Sequence, residues 1–134
     1  MTLLKRIFGI CETKPPIDSG CWHVEAGAVK VDLGRLPELK AAVGAVRFEG
    51  KGLPVRVLLV HAKDGQWRAY ANRCTHMGRR LDFVPESGNL RCCSISRSLF
   101  RSSGALIDGP AKGPIEGFPV EVSDRTLTIY FEKR

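Results

Sequence analysis

The chain has 134 residues, 43% of them apolar, with a net charge of +7 and a pI of about 9.5. That length supports one domain with a real core. No apolar run approaches the roughly 20 residues that a membrane-spanning helix needs. The basic balance suits nucleic acid, an anionic membrane or an acidic protein. No zinc-finger, RNA-binding or helix-turn-helix signature supports nucleic acid. Fourteen Gly and eight Pro, spread along the sequence, favour short strands and turns over long helices.

Leu3, Leu4, Ile7, Phe8 and Cys11 are spaced for one face of a short helix, which Pro15-Pro16 ends. Its length suits a terminal cap better than a membrane-surface helix. The apolar core of this segment is too short for a signal peptide. Five cysteines are an odd number for a disulfide framework, so the expectation is a cytoplasmic protein with reduced thiols. On this reading residues 1–21 are an N-terminal extension and residues 22–134 the domain. Cys11 and Cys21 count as structural or incidental.

Strands are predicted at Trp22–Glu25 and around Val29, Val31 and Leu33, with Ala26-Gly27 as their turn. Pro37 to Ala42 suits one helical turn with Pro at its first position. Val46–Phe48 is a further strand. The clearest hairpin runs from Val55 through Asp64-Gly65 to Tyr70. Its Leu58-Leu59-Val60 run implies a strand buried on both faces. His61, near the strand end, reads as a surface residue rather than a ligand. Turns follow at Pro85–Asn89 and Ser102–Gly104. A last hairpin pairs Val120–Val122 with Leu127–Phe131 about Asp124-Arg125. Many short strands with regular turns describe an all-β sandwich or partial barrel.

Between the hairpins lies the chemistry. Cys74 and His76 are followed by Gly78 and Leu81; Cys92-Cys93 come on a second segment, and Gly109-Pro110-Ala111 on a third. Thiolate and imidazole are ligands that iron and zinc accept. The spacing Cys74-x-His76-x-Gly78-x-x-Leu81, with Gly104-x-x-x-x-Gly109-Pro110-Ala111 and Phe118-Pro119-Val120, resembles the Rieske iron–sulfur domain family over about Val29 to Phe131. The resemblance implies antiparallel sheets with two cluster-binding loops at one end. It implies a [2Fe–2S] centre with Cys74 and Cys92 on one iron and His76 on the other. Gly78 would let the backbone turn close to the cluster, because Gly tolerates positive φ.

The second box departs from the family's C-P-x-H-G. It reads Cys92-Cys93-Ser94-Ile95-Ser96, and Ile95, where the second His belongs, has no ligand atom. Three outcomes stand open. A substituted fourth ligand completes the cluster, Cys93 before Ser94 or Ser96; the fold persists as a cluster-free binding module; or Cys74, His76, Cys92 and Cys93 hold one zinc. Against Cys93 stands geometry, since adjacent residues of an extended segment point opposite ways. Arg79 occupies the place of a Cys that braces the loops in some members of the family.

Arg73, Arg79, Arg80, Arg91, Arg97 and Arg101 lie in or beside the two loops, and Asp82 and Glu86 are the acids between them. A guanidinium ring at the tip suits an acidic redox partner, with a small anion as the other ligand. No Ser/His/Asp arrangement or acid–base carboxylate pair is readable. The sequence therefore points to an electron carrier, or the electron-transfer component of an oxidoreductase, rather than a complete enzyme.

Overall fold

A computed structural model describes residues 11–40, 43–75, 78–93 and 98–131. The predicted N-terminal helix lies largely outside them. Twelve strands form three antiparallel four-stranded sheets among the described residues. The first sheet, in the order β1-β2-β12-β11, contains β1 (Trp22–Glu25), β2 (Ala28–Asp32), β11 (Val120–Ser123) and β12 (Thr126–Tyr130). The second, β10-β5-β4-β3, contains β3 (Gly44–Phe48), β4 (Val57–His61), β5 (Trp67–Ala71) and β10 (Gly117–Phe118). The third, β6-β7-β8-β9, contains β6 (Leu81–Val84), β7 (Asn89–Cys92), β8 (Leu99–Phe100) and β9 (Leu106–Asp108). One helical turn, α1 (Pro37–Lys40), begins at its proline as the sequence suggests.

Local chemistry explains the turns. Ala26 and Gly27 both take positive φ, +50° and +77°, the pair that a two-residue hairpin between right-twisted strands requires. The strand ends differ slightly from the expectation. Val55 precedes β4, and Leu33 leaves β2 for a 3-10 turn (Leu33–Arg35), whose Gly34 N–H donates to the Asp32 carboxylate.

The core is divided by β4, as the run of aliphatic residues predicted. Val57 and Leu59 pack with Val29, Val31, Leu127 and Ile129 of the first sheet. Leu58 and Val60 pack on the opposite face with Leu81, Leu90, Cys92 and Phe100 of the third. These four of the five β4 side chains are 1% exposed or less. Each contributes about 1.5–3 kcal/mol of apolar burial. The second sheet is thereby fixed against both neighbours, and the third sheet, which carries the two boxes, is anchored to it.

Residues 11–17 form a strap across this assembly. The N–H groups of Glu12 and Thr13 and the Thr13 hydroxyl donate to the buried Asp82 carboxylate at 2.7–2.9 Å. Arg47 N–H donates to the Lys14 carbonyl at 3.1 Å, extending the β3 edge. Ile17 N–H reaches Glu38 at 2.8 Å. No described helix is long and apolar enough to cross a membrane.

Candidate metal centre

The β6–β7 hairpin brings the two boxes together. Its register pairs Leu81 with Cys92, so the segment entering β6 and the segment leaving β7 lie at one end. The first loop closes on itself through Cys74 N–H to the Arg79 carbonyl at 2.7 Å and Gly78 N–H to the Cys74 carbonyl at 2.9 Å. Gly78 takes φ +71°, the left-handed turn that suits glycine. The second loop closes through Cys92 N–H to the Ser98 carbonyl at 2.8 Å, and Cys93 N–H joins the loops at the Arg80 carbonyl, 2.9 Å.

The Gly109-Pro110-Ala111 segment seals this end. Gly109 packs on Ser98 so closely that a Cβ would stand 2.5 Å from its Cα, and its φ of +99° also favours glycine. Ala111 N–H donates to the Ser98 hydroxyl at 3.2 Å. The Thr75 hydroxyl donates to the Gly113 carbonyl at 2.7 Å. One loop thus contacts both boxes.

Cys74 and Cys92 are unbridged thiols, each 1% exposed, in one buried cluster with Leu81 and Leu90. His76, Ser94, Ile95, Ser96 and Arg97 lie outside the described residues. Cys93 corrects an expectation: its sulfur is bonded to that of Cys11, with the Cα atoms 5.3 Å apart. It is therefore not a free thiolate beside Cys92. The reason is the alternation already noted. Cys92 ends β7 facing the core, so its neighbour turns away towards the strap. Cys11 is accordingly not incidental, and the expectation of uniformly reduced thiols does not hold for this pair. Cys21, by contrast, is a core residue, and burial pushes its thiol up to about 11.

The donor set fits a Rieske cluster in part. Two buried thiols match the thiolate-bound iron. For the other iron the sequence supplies His76, while position 95 is isoleucine and Cys93 is occupied by Cys11. Neither position 95 nor position 93 supplies the second ligand of that iron.

The arginines are placed differently from one another. Arg80 is paired with Glu49 through both carboxylate oxygens at 2.6 and 2.9 Å, and Arg47 approaches the same group at 3.8 Å. The Arg80 guanidinium holds the Glu49 carboxyl below its ordinary range. Glu49 lies outside the Arg73–Arg101 stretch and reaches it only through the fold. Arg73 and Arg101 are exposed, and Arg79 is half-buried. Arg91 sits on β7 opposite Asp82, in the wall of a cleft shared with Glu12 and Glu86. Arg97 lies outside the described residues.

Sequence reasoning passed over Arg56, Asn72, Thr75 and Ser98. Arg56 donates to the carbonyls of Asn72 and Gly78, at 3.1 and 2.6 Å from one nitrogen. The Asn72 side-chain oxygen accepts from Leu81 N–H at 2.7 Å. Arg56 and Asn72 therefore hold both ends of the first loop. An Asn immediately before the first box was the available signal; Arg56 offered none, being distant in sequence. His61 also differs from the expectation. Its Nδ1 donates to the Leu39 carbonyl at 2.6 Å and its ring stacks on its register partner Trp67 at 4.0 Å.

Comparison with known proteins agrees with this geometry. A carotenoid phi-ring synthase from Chlorobaculum tepidum is 29% identical over 107 residues; the match covers 78% of this chain and 16% of that protein. The chain thus spans about a sixth of the length of the curated relative. A cyanobacterial plasma membrane Rieske protein from Synechocystis PCC 6803 superposes with TM-score 0.57 at 24% identity, over 70% of this chain and 92% of that one. The ferredoxin of carbazole 1,9a-dioxygenase from Nocardioides aromaticivorans does so with TM-score 0.57 at 24% identity, over 71% and 90%. At that identity the two structures speak for the fold. The Rieske [2Fe-2S] domain family matches residues 30–119, most of the length, and the chain belongs to that family of iron–sulfur electron-transfer domains.

Proposed function

We propose that this domain is the electron-transfer component of a larger oxidoreductase, with Cys74 and Cys92 holding one iron of a [2Fe–2S] centre and His76 the other. The supporting observation is the pair of thiols. Cys74 and Cys92 stay unbridged at the roots of two abutting loops, while another cysteine pair has closed a disulfide. Such a centre, when bound, takes up and releases single electrons. The chain's own part is to bury the thiols, fix both loops and exclude water. A loop serine, Ser94 or Ser96, is the remaining substitute for the missing imidazole. An oxygen ligand there would favour a lower potential than a second His.

The curated relative carries the matching sequence within a longer chain, which supports a component role. Exposed Arg73 borders a cleft of about 450 Å³ beside Cys74, Thr75 and Gly78. With Arg47, Arg56 and Arg80 nearby and Glu49 as their shared acid, this edge suits an acidic partner. The location read from the sequence, the cytoplasm, belongs with this proposal.

Iron and acid-labile sulfide analysis on anaerobically purified protein tests it. Two irons and two sulfides per chain are expected, lost together in Cys74→Ser and in Cys92→Ser. Protein without iron or sulfide overturns the electron-transfer reading. A second reading then takes its place, favoured by Ile95 and the Cys11–Cys93 bond: a cluster-free Rieske-fold module that docks through its arginine edge. Salt-independent binding of the partner would argue against either version of that edge.

A further inference from the structure

We propose that Cys11, Cys93 and Asp82 form a second metal site, for a thiophilic divalent cation of the zinc type, once the disulfide is reduced. It is separate from the Cys74–Cys92 centre and does not depend on that reading. One ligand atom from each of the three residues lies within 4.8 Å of the others, and all three residues are buried. Two thiolates and a carboxylate are a zinc donor set, with the fourth position open to water.

Three features favour metal over a bare dithiol. Asp82 is 2% exposed yet makes no ion pair with a described residue. A divalent ion beside this carboxylate would add a positive charge to the three hydrogen bonds that already satisfy it. Its orientation is set by the three donors from Glu12 and Thr13, the role that outer hydrogen bonds play around a metal ligand. Asp82, though not the two cysteines, also lines a cleft of about 460 Å³ with Glu12, Glu86 and Arg91, which brings a cation to one of the three ligands.

Reduction would not scatter the ligands. The strap remains held through Asp82 and through Arg47 N–H on the Lys14 carbonyl, so Cys11 stays beside Cys93. The chemistry balances with a dithiol reductant. The dithiol gives two electrons and two protons and becomes a disulfide. The Cys11–Cys93 bond breaks into two thiols. The cation then displaces both thiol protons to solvent as two metal–sulfur bonds form. Oxidation reverses this and releases the metal, so disulfide and metal exclude one another.

The test is zinc binding by the full chain carrying Cys74→Ser and Cys92→Ser, reduced with a phosphine and titrated with Zn²⁺ alone. One zinc per chain is expected when reduced and none when oxidised. Co²⁺ in its place should show a thiolate charge-transfer band. Adding Cys11→Ser should abolish binding, and Asp82→Asn should weaken it roughly tenfold or more in a chelator competition. Should the double-serine chain fail to fold, the comparison moves to the native chain and Cys11→Ser, both reduced. The native chain should then bind one more equivalent. Equal zinc with and without Cys11, or with and without reduction, overturns the site. Undiminished affinity in Asp82→Asn removes the carboxylate from it and overturns the ligand set.

Discussion

Arg56 donates to the Gly78 carbonyl at 2.6 Å, reaching across the first box from the position just before β4. The same guanidinium meets the Asn72 carbonyl at 3.1 and 3.2 Å, so one side chain spans the loop that carries Cys74 and His76. Burial, and then the neighbouring Arg80, lower its pKa, while Glu49 opposes them. Hydrogen bonds from a charged donor are worth roughly 1.5–3 kcal/mol when removed. Arg56→Ala should lose about that much in urea unfolding. Arg56→Lys should recover less than half, because an ammonium cannot reproduce the planar fork. Full recovery by lysine would mean that charge alone, not the bridge, stabilises the loop.

The Glu49–Arg80 pair gives stability a pH signature. Its hydrogen bond to Arg80 lowers the Glu49 pKa from 4.5. A carboxylate with a depressed folded pKa stabilises fully above its unfolded value and loses that contribution as pH falls through the folded one. Glu49→Gln should therefore lower the unfolding midpoint by a constant amount above about pH 5. The pair is partly exposed, so roughly 1 kcal/mol or less is expected. The gap between the two proteins should close as pH falls below the depressed folded value. A gap that persists there would assign the effect to packing.

Thiol counts separate the five cysteines. The non-reduced chain, unfolded in denaturant, should release three titratable thiols, Cys21, Cys74 and Cys92. Reduction should raise the count to five. Cys21 is further marked by its pKa of about 11 against an ordinary 9.0, raised first by burial. The native state therefore keeps a proton that the unfolded state gives up, and stability falls as pH rises from about 9 to 11. Cys21→Ala should remove that part of the alkaline loss. An unchanged slope would place the titration elsewhere.

The Cys11–Cys93 bond closes a loop of 82 positions. Loop closure of that length is worth roughly 2–4.5 kcal/mol in the unfolded chain. Cys11→Ser, under non-reducing conditions, should lower Tm by on the order of 10 °C. Amide exchange at Glu12 and Thr13 should stay slow, because their hydrogen bonds to Asp82 hold the strap without the bond. A stability equal to the oxidised native chain would show that the bond does not form in solution.

The sequence by itself determined the architecture. The two-faced apolar run of Val57–His61, its return strand Trp67–Ala71, the turn at Asp64-Gly65 and the last hairpin all reappear, because strand-forming runs and positive-φ turns are local properties of the chain. The pairing of the two boxes was legible too, since the motif spacing presupposes the hairpin that joins them. What the tertiary structure alone decided are relations between distant residues. Cys11 reaches Cys93, Glu49 neutralises Arg80, and Arg56 spans the first box. Counting charges within a sequence window missed Glu49, and spacing gave no partner for Cys11. Strand register and side-chain direction settle such pairings. At Cys92-Cys93 the pleat sends one sulfur to the core and its neighbour to the strap, which a list of adjacent residues cannot express.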